Sequence, residues 1–126
     1  PRGATADATF EAVAAKFLEG YLASQPLRAT EAGDHRFDDR WPDLSEKGDE
    51  ATRSFIAETR KALGGVARDA LSQKNRIDAQ ILENQLDLLQ MSLDDLRPAV
   101  SDPVFYTTAI GDGLDPLVTR DFAPPA

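Results

Sequence analysis

The stretch Glu31 to Ser45, EAGDHRFDDRWPDLS, gathers the side chains best suited to chemistry. It holds the only histidine and the only tryptophan of the chain, with two arginines and four aspartates. His35 lies close in sequence to Asp34, Asp38, Asp39 and Asp43, a set that invites a metal reading. Zinc sites draw on several His or Cys ligands, and one histidine cannot form the H-E-x-x-H pair of a metallopeptidase helix. The aspartates do not alternate as calcium-loop ligands do, and no glycine holds the required sixth position. A solvated acidic loop, bonded to its own backbone, explains the same residues.

Nucleophilic catalysis fares no better. The chain has no Cys and no G-x-S-x-G turn, and its prominent Ser and Thr residues have helix-capping explanations. Asp38-Asp39 and Asp94-Asp95 are paired carboxylates, but acid–base work needs a pocket that shifts one pKa from the other. Gly111-Asp112-Gly113 lacks the surrounding pattern of a phosphate-binding loop. Trp41, in RWPD, suits either stacking on a ligand or pinning its loop to the core. Tyr21 and Tyr106 fall on apolar helix faces, where packing is the simpler role. His35, Arg36 and Trp41 remain as candidate substrate-contacting residues; no catalytic residue and no metal ligand is assigned.

Totals narrow the classes further. The chain has 126 residues, a net charge of −8, 41% hydrophobic and 29% charged residues. That is an ordinary globular composition for one domain or one piece of a larger one. No basic stripe exists to contact phosphates, so nucleic acid is a poor partner and an anionic membrane surface is disfavoured. No apolar run approaches the ~18 residues of a membrane span. A start at Pro1 rather than Met, followed by small polar residues, reads as the edge of a processed leader or linker.

The elements that position these residues read as helices throughout. From Asp7, the residues Phe10, Val13, Ala14, Phe17, Leu18, Tyr21 and Leu22 form one stripe at helical period, with Asp7 or Thr5 as cap and Pro26 as stop. Pro26 also opens a short second helix that Gly33 ends in a left-handed turn. Ser45 caps a third helix over Glu46 to Leu63, with Ala51, Phe55, Thr59, Ala62 and Val66 on one side and Ile56 and Leu63 widening it. Ser72 caps a fourth. There Ile77, Ile81, Leu88 and Met91 form one apolar face, and Leu82, Leu86, Leu89, Leu93 and Leu96 a second. An arc that wide predicts a central helix covered on two flanks, with Asn84 and Gln85 needing partners inside it. Pro98 ends it. Asp102-Pro103 starts a fifth, weakened at Gly111 and Gly113. No strand pattern and no repeat is present. The expectation is an all-α irregular bundle of four to five helices, with linkers at 1–6 and 123–126 and a helical body over 7–122.

Several short motifs come in a telling order. Pro26, Ala29, Thr30, Gly33, His35 and Asp38-Asp39 spell P-x-x-A-T-x-x-G-x-H-x-x-D-D. Asp43-Leu44-Ser45, Leu71-Ser72, Ile77-Asp78, Asp102-Pro103 and Tyr106 follow. In this order the chain, from about Phe10 to Pro124, resembles the amino-terminal region of the bacterial DUF885 family, a domain of unknown function; Phe37 stands where tyrosine is the commoner residue. The resemblance implies a longer, mostly helical protein, zinc-metallopeptidase-like, with its H-E-x-x-H helix far downstream and an exported or lipoprotein location. It implies zinc as the cofactor of the full protein, with no ligand mapping onto this chain. This region would then brace the catalytic part and shape one rim of a peptide-binding cleft. Its partners would be that catalytic part and the peptide substrate. The alternative is a free-standing acidic helical module that binds a protein or peptide partner.

Overall fold

The structure, a computed structural model, describes residues 2–119. Four long helices form the body: α1 (Arg2–Ser24), α3 (Glu46–Gly64), α4 (Gln73–Met91) and α6 (Phe105–Thr119). Two short ones, α2 (Pro26–Glu31) and α5 (Pro98–Ser101), sit between them, and no strand occurs among the described residues. The fold is all-α, as the apolar periodicity predicts.

Helices α1, α3 and α4 pack around one core. Phe10 and Phe17 enter it from α1, Ile56 and Leu63 from α3, and Ala79, Leu82 and Leu86 from α4, with Val66 and Leu71 closing the α3–α4 turn. Phe10, Ile56 and Leu86 are the large side chains fully removed from water. Phe17 stacks on Tyr21 and Phe55 at centroid distances of 5.7 and 5.5 Å. Glycine at position 20 lets α3 come this close, because a Cβ there would lie 2.6 Å from the Phe55 ring. A ladder of ion pairs, Arg53–Asp94, Arg60–Asp87 and Arg68–Glu83, fences one side of α4.

Local signals set several ends as read. The Ser45 side chain accepts from Gly48 N–H and the Ser72 side chain from Asn75 N–H, both at 3.3 Å. Gly33 takes φ +85°, with Gly33 N–H bonded to Thr30 O and Asp34 N–H to Ala29 O. Those two bonds make a Schellman stop. Asp102 turns the chain ahead of α6, accepting from Val104 N–H at 2.9 Å. The helix then runs on through Gly111, Gly113 and Pro116.

Four expectations change. Helix α1 begins at Arg2, ahead of Asp7, because nothing among its small residues breaks a helix, and Ala6 joins the core. Asp7 caps a different helix: its Oδ1 accepts from Ser72 N–H at 3.0 Å and from Asn75 Nδ2 at 2.8 Å, at the start of α4. On α3 the buried side is Ile56, Thr59 and Leu63, while Ala51 and Ala62 are exposed. On α4 only one flank is covered. Leu82, Leu86, Leu89 and Leu93 face the core, but Ile77, Ile81 and Leu88 are 55, 59 and 53% exposed. Periodicity finds apolar arcs; only packing decides which arc receives a neighbour. Asn84 therefore lies at the surface and Gln85 only part-buried, and the polar side chain buried on α4 is Asn75. The expected linker at 123–126 lies outside the described residues.

Candidate functional site

The joint between α2 and α3 holds itself together by short-range bonds. Asp34 starts a 3₁₀ turn, His35–Phe37, by accepting from Arg36 N–H at 3.3 Å. Its carboxylate also receives the Arg36 guanidinium at 2.8 and 2.7 Å, and the same guanidinium reaches Glu19 on α1 at 2.8 and 3.0 Å. Arg36 thus clamps the joint to α1 in a bidentate grip. The guanidinium holds the Asp34 carboxyl below its ordinary range, and Asp34 and Glu19 together raise Arg36 further above an already high value.

His35 Nδ1 lies 2.9 Å from Asp38 Oδ2, and Asp38 Oδ1 accepts from the Thr30 hydroxyl at 2.6 Å. The order is hydroxyl, carboxylate, imidazole. A nucleophilic triad needs the imidazole in the middle, where it can take the hydroxyl proton. Here the carboxylate lies between the two, so within this trio the hydroxyl does not meet the imidazole. Phe37 is buried beneath it, with the Arg36 and Arg40 guanidiniums 5.0 and 5.5 Å from its ring centre. Further on, Asp43 Oδ1 accepts from Ser45 N–H at 3.0 Å and from the Ser45 hydroxyl at 2.6 Å, which lowers the Asp43 pKa.

Trp41 takes a different place. It stands against α6, where glycine at 113 leaves room for the indole; a Cβ there would come within 2.7 Å of Trp41 Cη2. The indole borders an open cleft of about 750 Å³ between the joint, the start of α3, the end of α4 and the α5–α6 arm. Leu27, Phe105, Arg97, Asp102 and Asp112 line it with Trp41, and neither His35 nor Arg36 does. Two irregularities border this cleft. Helix α4 continues through a π turn, Ser92–Leu96, and Arg97 follows in the left-handed region at φ 43°. Both are departures that concentrate at functional sites. The proline after Arg97 was the sequence signal, since it drives the preceding residue out of the right-handed helical region.

Residues 26–124 match the family described as bacterial protein of unknown function, DUF885. The chain belongs to the DUF885 family. No curated protein and no solved structure matches it. The match covers the joint, every element after α1 and the cleft lining from Leu27 on, with Gly20, Ala23, Ser24 and Gln25 of that lining outside it. Among the described residues of this DUF885 chain, no three His, Cys, Asp or Glu side chains gather as a metal-ligating group. Nor is any helix among them long and apolar enough to cross a membrane.

Proposed function

We propose that this DUF885 chain is a structural unit of a longer, exported, zinc-peptidase-like hydrolase, bracing the catalytic part and forming one wall of its peptide cleft. The cleft bordered by Trp41 carries this reading. Its volume of about 750 Å³ suits a ligand of several residues, and its lining offers contact surfaces and charges but no histidine or cysteine. Catalytic groups and zinc ligands then belong to residues outside this chain, and no reaction step is assigned to residues within it. The His35–Asp38–Thr30 set and the Arg36 clamp are support behind that wall; Trp41 is the contact residue.

The test uses the full-length protein with a peptide substrate. Trp41→Ala is expected to raise KM about tenfold, the value of one lost aromatic contact near 1.4 kcal/mol, with kcat little changed. His35→Ala should leave both constants within twofold. A reading frame without a downstream H-E-x-x-H, or unchanged KM in Trp41→Ala, ends the proposal. A second reading, a module that binds a helical partner, is favoured by the uncovered apolar face of α4.

A further inference from the structure

The uncovered face of α4 has an internal order. Ile77, Ile81, Asn84, Leu88 and Met91 follow one another at separations of four, three, four and three residues. That is the a/d spacing of a coiled-coil seam, and it runs along about 21 Å of helix at 1.5 Å per residue. Asn84 stands at its centre, and the four apolar side chains are 40 to 59% exposed. A lone polar Asn within such a seam fixes register and orientation between paired helices.

The acidic charges beside this face are paired. Each acidic side chain on α4 has a basic partner: Asp78 pairs with Lys74, Glu83 with Arg68 and Asp87 with Arg60. The seam is flanked by Gln73, Gln80 and Gln85 and by the ion-paired Asp78 and Asp87, and Gln80 donates to Asn84 Oδ1 at 3.3 Å. An exposed apolar strip four turns long is unexpected unless something apolar covers it.

We propose that the occupant is a second copy of this chain, its α4 lying antiparallel across the first on a two-fold axis through Asn84. The seam is nearly symmetric about that residue. Antiparallel pairing sets Ile77 against Met91 of the partner copy, Ile81 against Leu88, and the two Asn84 carboxamides against each other, donor to acceptor. It also brings the basic start of α4, Lys74 and Arg76, toward the acidic Asp94-Asp95 end of the other copy. Parallel pairing would set those acidic ends against themselves. One helix face falls well short of the ~800 Å² per partner of a standard interface, so the dimer is micromolar and reversible. This inference rests on the partner-binding reading; the cleft lies on the other side of α4 and is judged separately by the Trp41 kinetics.

Sedimentation and disulfide trapping on the full chain test it. Sedimentation from about 5 to 500 μM should pass from monomer to dimer, and Leu88→Glu should weaken the dimer at least ~30-fold with helical circular dichroism unchanged. Because the chain has no cysteine, single substitutions report orientation cleanly. Asn84→Cys should oxidise to a covalent dimer. Ile77→Cys should not do so alone but should cross-link to Met91→Cys. A monomer across the whole range overturns the proposal, as does self-linking of Ile77→Cys, the mark of parallel pairing. The cysteine variants keep the test decisive should Leu88→Glu disturb folding.

Discussion

Replacing Gly48 by alanine should destabilise the fold, against the usual sign of that change in a helix. Gly48 is the third residue of α3, is buried, and gives its N–H to the Ser45 cap. At most helical positions Gly→Ala stabilises by about 1 kcal/mol. Here the new Cβ would press into the Asp43 carbonyl oxygen and stand 2.9 Å from Asp43 Cγ. Asp43 cannot swing aside as a flexible tip would, because the clash is with backbone and its carboxylate is tied to Ser45. Relief requires the joint to move off the helix start. Overpacking of this kind costs about 1–3 kcal/mol, and loss of the Ser45 cap costs about 1 kcal/mol more. After the propensity gain, the net is a loss of about 2 kcal/mol. Gly111→Ala supplies the control: it lies inside α6 with nothing within 4 Å of its would-be Cβ. It should stabilise by about 0.5–1 kcal/mol. Urea unfolding followed by circular dichroism measures both. Equal shifts for the two variants, or a stabilised Gly48→Ala, would refute the claim that the joint is seated on the first turn of α3.

Two further outcomes follow from packing and charge. Leu86→Ala should lose about 2–5 kcal/mol and Leu88→Ala under ~0.5 kcal/mol from the unfolding free energy of the monomer, since one is fully buried and the other half exposed; similar losses would mean that α4 is covered on both flanks. The carboxyls of Asp7, Asp34, Asp43 and Asp94 are each held below their ordinary value, by bonds from Ser72, Arg36, Ser45 and Gln90 respectively. A depressed native pKa gives stability that is complete above the unfolded value near ~3.9 and is lost as pH falls through the native one. The urea midpoint should therefore hold steady through neutral pH and drop below about pH 4, with a shallower drop in Asp7→Asn; an unchanged slope in that variant would remove Asp7 from the account.

Helix ends were legible where the signal is local. Ser45, Ser72 and Gly33 do what their types and neighbours dictate, because a cap reaches only three residues along its own chain. Asp7 misled for the complementary reason: its oxygen satisfies donors 65 and 68 residues away, and no sequence window contains that. The two apolar arcs of α4 were visible, but their fates were not, since coverage depends on where α1 and α3 lie. His35 and Arg36 drew attention by residue type alone. Asp38 engages the His35 ring and Asp34 and Glu19 engage the Arg36 guanidinium, leaving Trp41 as the member of the trio that borders the cleft. Arg97 escaped notice, though Pro98 beside it restricted its backbone from the start.

The division of polar and apolar surface follows from one constraint. Three core helices can bury only one stripe each, so any second stripe must either be absent or have its own partner. On α3 the outer face is largely polar, as solvation requires, and on α1 it mixes polar residues with small alanines and one exposed leucine, Leu18. On α4 the outer face is apolar, while the acidic residues beside it are matched by arginines from α3 and the turn after it and by Lys74. Surface ion pairs of this kind add little stability, typically under ~1 kcal/mol each. Their consequence here is local: they remove repulsion from the edges of a strip that water alone would not favour. The polar bonds of the joint thus close the fold, and the apolar outer face of α4 stays exposed, with Ile77, Ile81 and Leu88 more than half accessible.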